Sequence, residues 1–332
     1  MNELTKDESK ILKGIAILFM IGLHLYNRID IENYYNASIM INNNPLIYYI
    51  SFIFDACVPI YCFCAGYAAY INQNKSKKSS LIKLLINYWV ILILTCILGL
   101  LLKDKSIPGN IFDFLSNAFL YNISYVGAWW FMQTYVLLTL TSTFLINFIN
   151  KVKSLFILIL VLFIYVVAYY FRIIHPITNY QLIINPLVLY GTSVFPYIMG
   201  IMFRKHNIIS IIRNKITKYS SFIGICIIIL CVFLHIVIKS MFIAPFIAIV
   251  LICGYSLLHI DGIVKKILLF FGKHSTNIWL THMQFYMIFF SKIVFCTKTV
   301  LGCFVILICM CLISSFFINT LIKIINKKIS TN

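Results

Sequence analysis

The stretch that decides the fold is Lys13-Gly-Ile-Ala-Ile-Leu-Phe-Met-Ile-Gly-Leu-His24, which is apolar between a lysine at one end and a histidine at the other. An α-helix turns about 100° and rises about 1.5 Å per residue. Eleven residues therefore bring His24 to within roughly 20° of the Lys13 direction, about 16 Å further along the axis. Both polar side chains are expected on one face of one helix.

Ionisable side chains within an apolar helix are costly in lipid and usually face a protein interior or a water-filled cavity. This makes Lys13 and His24 candidates for a functional site. The alternative is that Lys13 extends its ammonium to the membrane surface and that His24 is satisfied at the interface. The spacing alone does not separate these two interpretations.

Composition assigns the chain to the membrane. Of the 332 residues, 62% are apolar and only 11% are charged, and the mean hydropathy is +0.96. This is too little polar surface for a soluble globule of this length. We predict an all-α polytopic membrane protein forming one membrane-embedded domain over residues 1–332. The first apolar run is expected to be a retained span and not a removed signal. The spacing of the cysteines predicts neither a disulfide framework nor a metal site.

The chain offers about ten apolar segments near the ~20 residues that a spanning helix needs. The weakest division lies between the seventh and eighth, where Lys239-Ser-Met separates two long runs and Pro245 could mark a kink. The predicted spans are about 11–27, 46–72, 81–102, 129–149, 154–171, 182–203, 220–239, 241–259, 267–291 and 299–321.

The positive charges predict the orientation of these spans. If the loops alternate sides, nineteen of the 27 lysines and arginines fall on the side of the termini and seven on the other, with Lys13 inside its helix. Short cytoplasmic loops carry the excess of positive charge, so both termini are predicted to be cytoplasmic. The net charge of +18 is explained by this asymmetry and by anionic lipid headgroups. Nucleic acid is not an expected partner.

Asp55 is the acidic residue predicted to lie within a span, in the outer half of the second segment. At that depth it is level with His24, and a carboxylate beside an imidazole would hold its tautomer and favour general-base catalysis. The alternative is that Asp55 pairs with Arg28 or caps a helix broken ahead of Pro59. With Lys13 at the cytoplasmic end, the separation of about 16 Å between Lys13 and His24 along the helix is close to the length of an extended pantetheine arm.

Four stretches together resemble the acyltransferase-3 family of integral-membrane acyltransferases. Lys13-x10-His24 resembles the family's Arg-x10-His signature. Val58-Pro-Ile-Tyr-Cys-Phe-Cys-Ala-Gly-Tyr67 is similar to its Val-Pro-x-Phe-Phe-x-x-Ser-Gly-Tyr stretch, and Trp129-Trp-Phe-Met-Gln-Thr-Tyr135 to its Trp-Phe-Leu segment. Phe271-Gly-Lys-His-Ser-Thr-Asn-Ile-Trp-Leu-Thr-His282 resembles its late Gly-Lys-x-Ser-x-x-Ile-Tyr-Leu-x-His element. The stretches occur in the family's order.

The resemblance implies transfer of an acyl group, usually acetyl from cytoplasmic acetyl-CoA, to a hydroxyl of an extracytoplasmic or lipid-linked glycan. It implies His24 as the catalytic residue, with Lys13 in place of the signature arginine. A lysine offers a point charge where an arginine offers a planar fork. Ala65 stands where the family often has serine. The expected location is the cytoplasmic membrane of a bacterium.

Other residues are candidates for supporting roles. Lys83 would help Lys13 bind nucleotide phosphates, or is one more cytoplasmic charge. Gln133, Tyr135 and His282 are candidates for binding substrate or the oxyanion. Gln133 and Tyr135 lie on different helical faces, so at most one should face His24. His282 has the alternative of a buried neutral histidine bonded to a backbone carbonyl or a hydroxyl.

Two other classes of function remain open at this stage. A transporter of a glycolipid or small solute would also bury ionisable groups, although paired glycine-broken helices in matching halves are not evident. A non-catalytic sensor or scaffold would explain the departures at Lys13 and Ala65, but it gives no reason to bury Asp55 and His24.

Overall fold

The computed structural model describes residues 3–28, 30, 34–177 and 181–330, with side chains as far as residue 325. The protein is 79% helical there, with a short hairpin of the strands Met40–Ile41 and Asn44–Pro45. Its helices are α1 (Lys6–Tyr26), α2 (Leu46–Ser51), α3 (Cys57–Ile71), α4 (Lys78–Leu101), α5 (Ile111–Ala118), α6 (Trp130–Lys151), α7 (Ser154–Tyr169), α8 (Gln181–Lys205), α9 (Ile208–Lys215), α10 (Ser220–Val237), α11 (Ala244–Ser256), α12 (Gly262–Met283), α13 (Ser291–Val294) and α14 (Val300–Ser330).

The predicted polytopic all-α class is confirmed. Among the described residues, eight helices are long and apolar enough to cross a membrane, and a shorter apolar helix occupies Met241–Ser256. The predicted ninth span corresponds to α12 and the π-helix Gln284–Phe289 that continues it. The count of ten and the cytoplasmic location of both termini stay predictions.

The uncertain division between the seventh and eighth segments is a true break. Helix α10 ends at Val237, and a new helical segment begins at Met241. Pro245 lies in the first turn of α11, where its missing N–H removes no helical hydrogen bond. Pro245 therefore begins a helix here and does not kink a continuous one.

The second predicted span is not one continuous α-helix. A 3-10 helix, Phe52–Ala56, separates α2 from α3 and contains Asp55. Pro59 follows as the third residue of α3, a position whose backbone N–H would have no partner within the helix in any case. The span Leu46–Ile71 is thus helical throughout, with a 3-10 segment at the level of Asp55, and within the described part of the chain no side-chain cap is present at the start of that segment or of α3.

The chain divides into two compact units built from interleaved segments. The first unit comprises Met1–Ile29, Ser38–Lys75 and Leu137–Lys273, and the second comprises Asp30–Ala37, Ser76–Val136 and His274–Asn332. Helix α12 contributes its first half to the first unit and its second half to the second unit.

Glycines set the closest helix packing in the first unit. A methyl group added at Gly66 of α3 would lie 1.9 Å from the carbonyl oxygen of Tyr197 in α8, and one at Gly200 would lie 2.1 Å from that of Phe63. Gly14 and Gly272 likewise let α1 and α12 approach backbone to backbone. Such contacts are typical of membrane helices that pack through small residues. They bring α1, α3 and α8 into one core around Ala16, Ile60 and Phe63.

The second unit packs around a pair of tryptophans. Trp129 donates its indole N–H to the Leu280 carbonyl at 2.8 Å, and Trp279 donates to the Ala128 carbonyl at 3.0 Å. These reciprocal bonds join the start of α6 to the second half of α12. Helix α5 lies in the connection before α6, and its Ile111, Phe112 and Leu115 are exposed, as expected of a helix lying at a membrane surface.

Candidate functional site

Helix α1 carries two of the predicted site residues on one unbroken element. It begins with a capping box in which Thr5 and Glu8 satisfy each other's backbone N–H groups, at 2.8 and 3.1 Å. Lys13 and His24 both lie within this helix and both are half-buried. The expected continuity between Lys13 and His24 is therefore present, with His24 in the last turn.

Lys13 lies where the first two family-like stretches meet. The hydroxyl of Tyr61 in α3 donates to the Lys13 carbonyl at 3.2 Å. The Lys13 ammonium is close enough to the Cys64 thiol to interact with it electrostatically. Tyr61 and Cys64 lie one turn apart, so one face of α3 is packed against the Lys13 level of α1. Lys13 is therefore surrounded by protein on that side, as a functional intramembrane cation would be.

The Asp55 segment packs against the second half of α1. Asn27 donates its side-chain amide to the Ser51 hydroxyl at 3.1 Å. The rings of Phe19 and Phe54 lie 5.1 Å apart, and Gly22 leaves the space that the Phe54 ring fills. Phe19 lies before His24 and Asn27 lies after it, whereas their partners Phe54 and Ser51 follow the opposite chain order. The two segments are therefore antiparallel, and His24 lies between the two contacts. Asp55 and His24 are therefore at similar depth, within about one helical turn of each other.

Asp55 interacts electrostatically with Arg172, a cation that lies just beyond the predicted fifth span. Its carboxylate is buried, and it is attracted by the guanidinium of Arg172. Arg172 lies in the π-helix Tyr170–Ile174 that ends the α7 span, and its Nη1 donates to the Thr192 hydroxyl at 3.4 Å. Arg172 was missed as a site residue because its pairing with Asp55 crosses more than a hundred residues. The available signal was the position of Arg172 directly after the predicted fifth span, at the same predicted end of the membrane as Asp55.

Gln133 and Tyr135 belong to the second unit, near the start of α6. Gln133 donates its side-chain amide to the Leu120 carbonyl at 2.8 Å. The Tyr135 ring packs at 6.2 Å from that of Phe131. Both side chains are half-buried. The Gln133 amide nitrogen thus bonds to the backbone, which leaves its carbonyl oxygen as an acceptor. Their predicted roles in binding substrate or an oxyanion stay predictions.

His282 is fully buried near the end of α12. Its Nδ1 lies 2.7 Å from the Trp279 carbonyl, which can only accept, so Nδ1 carries the proton. Its ring stacks on that of Tyr286 at 6.2 Å. This is the geometry that the packing alternative for His282 predicts.

Lys83 is exposed on the first turns of α4, in the second unit. Asn87 lies one turn further along the same face. It donates to the Asn277 side-chain oxygen at 2.7 Å and so begins a polar network that the sequence analysis did not single out. Isolated asparagines in apolar runs carry no distinctive spacing, so the network appears only when α4 and α12 are brought together.

The fold and these contacts define a polytopic membrane protein with ionisable groups along its first span and in the 3-10 segment of its second. A family model described as an acyltransferase domain matches residues 7–319. The chain therefore belongs to the acyltransferase-3 family of membrane proteins. No curated protein and no solved structure matches the chain in the same comparisons.

The four family-like stretches are not scattered over the structure. The stretches around Lys13–His24 and Val58–Tyr67 contact each other within the first unit. The stretch that begins at Trp129 and the second half of the late one contact each other within the second unit through the tryptophan bonds. The family-like stretches thus contact each other in pairs inside each unit.

Proposed function

We propose that this protein is a membrane O-acyltransferase that moves an acetyl or other short acyl group from cytoplasmic acyl-CoA to a hydroxyl of an extracytoplasmic or lipid-linked glycan. The observation that carries the proposal is the placement of Lys13 and His24 on one unbroken helix, with Asp55 packed at the His24 level. Family membership supports the reaction class. Donor, acceptor and the role of each residue are inferred from chemistry.

In the proposed reaction His24 acts as the general base. A sugar hydroxyl gives its proton to the neutral imidazole as its oxygen attacks the thioester carbon. The tetrahedral intermediate then collapses with breakage of the carbon–sulfur bond. The CoA thiolate leaves and takes the proton from the imidazolium, so the base is restored. A transient acyl-histidine is the alternative route through the same residue.

Lys13 and Asp55 support this chemistry at two different positions along the donor. In the predicted orientation Lys13 lies near the cytoplasmic end and attracts the phosphates of the donor. Asp55 lies at the level of the reacting groups. Its charge is shared with Arg172, so its proposed effect on His24 is to stabilise the imidazolium electrostatically and to fix the local geometry. Lys83 is proposed as a second phosphate contact.

The deciding experiment is incorporation of labelled acetyl into envelope glycans and lipid-linked saccharides of cells that express the protein or its variants. We expect His24→Ala to abolish incorporation, while His259→Ala, at an exposed loop histidine paired with Asp261, retains it. Equal membrane levels of the variants are verified by quantitative immunoblot. Unchanged incorporation in His24→Ala would reject the catalytic role of His24. Absence of incorporation in wild-type cells for every envelope fraction would reject the acetyl transfer itself.

A further inference from the structure

A buried histidine of the first unit has two ring nitrogens that bond to no other residue within the described part of the chain. His235 lies in the last turn of α10 and is 0% exposed, and neither its Nδ1 nor its Nε2 has a partner there. A neutral imidazole donates from one nitrogen and accepts at the other. Buried polar atoms without hydrogen bonds are uncommon and call for an explanation such as a bound molecule. Hydroxyl groups, which both donate and accept, would satisfy both nitrogens.

The His235 ring lies against the segment that contains Asp55. It stacks on the ring of Phe52, with the ring centres 6.5 Å apart and the planes 19° from parallel. Phe52 and Asp55 both belong to the 3-10 helix Phe52–Ala56. Side chains three residues apart eclipse each other in such a helix, about 6 Å apart along its axis. His235 therefore lies beside the face of the second span that holds Asp55 at the level of His24.

A row of aromatic rings leads from Phe52 toward the predicted outer surface. The Phe52 ring lies 5.1 Å from the Tyr48 ring, which lies 5.6 Å from the Tyr49 ring. The Tyr49 hydroxyl is held by the Ile41 carbonyl at 3.2 Å, whereas Tyr48 is half-buried at the edge of the row. Aromatic faces pack against the C–H groups of a sugar ring, and a phenol adds a polar group. An imidazole at the inner end of such a row matches a saccharide, which combines hydroxyls with apolar ring faces.

Positive charge surrounds the outer end of this row. Lys239 is exposed, and its ammonium lies 4.6 Å from the centre of the Tyr49 ring, in cation–π geometry. Within the described residues of the first unit, the charged side chains at its predicted outer end are three cations and one carboxylate, namely Arg28, Arg172, Lys239 and Asp55. Lysine and arginine are otherwise scarce on the outer side of membrane proteins. Their excess at this end favours an anionic ligand.

We propose that this end of the first unit binds the acceptor as an acidic saccharide. His235 bonds to a sugar hydroxyl, the Tyr48 ring packs on the sugar ring, and Lys239 attracts a carboxylate or phosphate of the glycan. The Phe52 ring, which covers one face of the imidazole, turns aside as the sugar enters. The inference rests on the proposed function and deepens it, because it names the substrate class and the residues that select it.

Two alternatives predict different behaviour. If the His235 ring only fills space, a phenylalanine would serve better, because it has a similar outline and buries no polar atom. If the cations only contact phospholipid headgroups, Lys239 would be neutralised at the membrane surface while the His235 nitrogens stayed unbonded. Neither alternative links the buried imidazole to the exposed lysine, which a saccharide spanning the aromatic row does.

The test measures sugar binding to the purified full-length protein in phosphatidylcholine nanodiscs by saturation-transfer NMR titration. The probes are glucuronate, glucose phosphate and neutral glucose. We expect the anions to bind about twofold to fivefold more tightly than glucose, the value of one exposed charge pair. The tighter of the two anions identifies the acidic group as a carboxylate or a phosphate.

The first variant addresses the buried imidazole. His235→Phe should weaken binding of all three sugars about twofold to tenfold, the value of one hydrogen bond, although it raises the melting temperature by removing buried polar atoms. His235→Gln keeps a donor and an acceptor and should restore part of the affinity. The matched control is His259→Phe, the same change at an exposed histidine of the same unit, which should bind the sugars as wild type does.

The second variant addresses the charge. Lys239→Gln should abolish the preference for the anions while leaving glucose affinity within about twofold of wild type. Lys292→Gln, at an exposed lysine of the second unit, is the matched control and should keep the preference. Because Lys239 is exposed, this variant tests the anion contact even if His235→Phe does not fold.

Three results would overturn the inference. The first is wild-type sugar affinity in a well-folded His235→Phe protein. The second is equal binding of glucose and both anions to the wild type, or no measurable binding of any of them. The third is loss of glucose binding when phosphatidylglycerol replaces part of the phosphatidylcholine, which would assign this surface to lipid. Continued His24-dependent acetyl incorporation in any of these cases leaves the proposed function standing, so the two failures are distinguishable.

Discussion

His24 and His282 occupy comparable sequence contexts and very different surroundings. Each lies near the end of an apolar helix and inside a family-like stretch. His282 is fully buried, donates to the Trp279 carbonyl and stacks on Tyr286. His24 is half-buried and packs beside the 3-10 segment of the second span, which contains a carboxylate. The position of a histidine in the sequence thus predicts its depth along a helix but not its environment. The exposed fraction of its side chain distinguishes a ring that can contact a substrate from one that is bonded and packed within the protein.

The largest expected effect separates the two histidines by activity. We expect His24→Ala to lower the rate of acyl transfer by about 10²–10⁴-fold, the usual contribution of a general base. His282→Phe should keep activity within about tenfold of wild type, because the ring is fully buried and bonds to the Trp279 carbonyl of its own helix. Initial rates of labelled acetyl transfer in isolated membranes give both values. Equal loss of activity in two well-folded variants would erase the distinction between the two histidines.

The two variants should rank in the opposite order when the free energy of unfolding is measured instead of activity. His282→Phe removes the buried hydrogen bond from the imidazole to the Trp279 carbonyl and is expected to cost about 0.5–1.5 kcal/mol of unfolding free energy. His24→Ala should cost less, since its ring is partly accessible. Thermal unfolding in detergent, followed by intrinsic fluorescence, reports the difference. A larger shift for His24→Ala would indicate that His24 is the structural residue.

A further prediction concerns the carboxylate at the His24 level. Asp55→Asn removes the carboxylate that attracts the Arg172 guanidinium, so we expect it to lower the free energy of unfolding, with a coupling energy between the two positions of about 0.5–3 kcal/mol. Arg172→Gln should destabilise as well, and the double variant should lose less than the sum of the two single variants. A complete double-mutant cycle of thermal unfolding measures the coupling. Strict additivity would show that the two groups act independently.

Glycine packing offers a contrast between the two units. Gly66→Ala places a methyl group against the Tyr197 backbone at 1.9 Å, and we expect it to cost about 1–3 kcal/mol. Gly127→Ala in the second unit is the matched change, since its methyl group would meet Met283 at an ordinary 3.4 Å. It should be nearly neutral by the same unfolding measurement. Similar losses at both positions would contradict the close approach of α3 and α8.

The smallest expected effect is at Lys13. Lys13→Arg supplies the fork that the family signature carries, so we expect the KM for acetyl-CoA to fall about twofold to fivefold with kcat little changed. Lys13→Met should raise KM instead. Steady-state kinetics over a range of acetyl-CoA concentrations separates the two parameters. A change confined to kcat would place Lys13 at the reacting groups and not at the donor phosphates.

Elements with a local cause were well predicted from the sequence. Apolar runs and their flanking charges predicted the main helices to within a few residues at most ends, as for α4, predicted at 81–102 and observed at Lys78–Leu101. Hydrophobic periodicity and charge are properties of neighbouring residues, so a single chain suffices to detect them. The Lys13–His24 helix belongs to this group.

Features that depend on distant partners were not predictable in the same way. Asp55 interacts electrostatically with Arg172, and the Asn87 side chain donates a hydrogen bond to Asn277. Each pairing joins helices far apart in the chain, and nothing in the local pattern of either residue marks it. The π-helices at Tyr170–Ile174 and Gln284–Phe289 also lack a sequence signature, since they differ from α-helix only in hydrogen-bond register.

The anchored start of α1 has a consequence for how the two ionisable residues are aimed. Glu3 accepts from the Ser210 backbone, and Glu8 pairs with Arg213 on the neighbouring α9. These contacts at the start of α1 help to set the rotation of the helix about its own axis. One residue inserted between Lys10 and Lys13 would swing the lysine and the histidine together by about 100°, whereas the same insertion beyond Lys13 would aim them in different directions. The common direction of the Lys13 and His24 side chains therefore depends on the number of residues between them and on the contacts that anchor the start of α1.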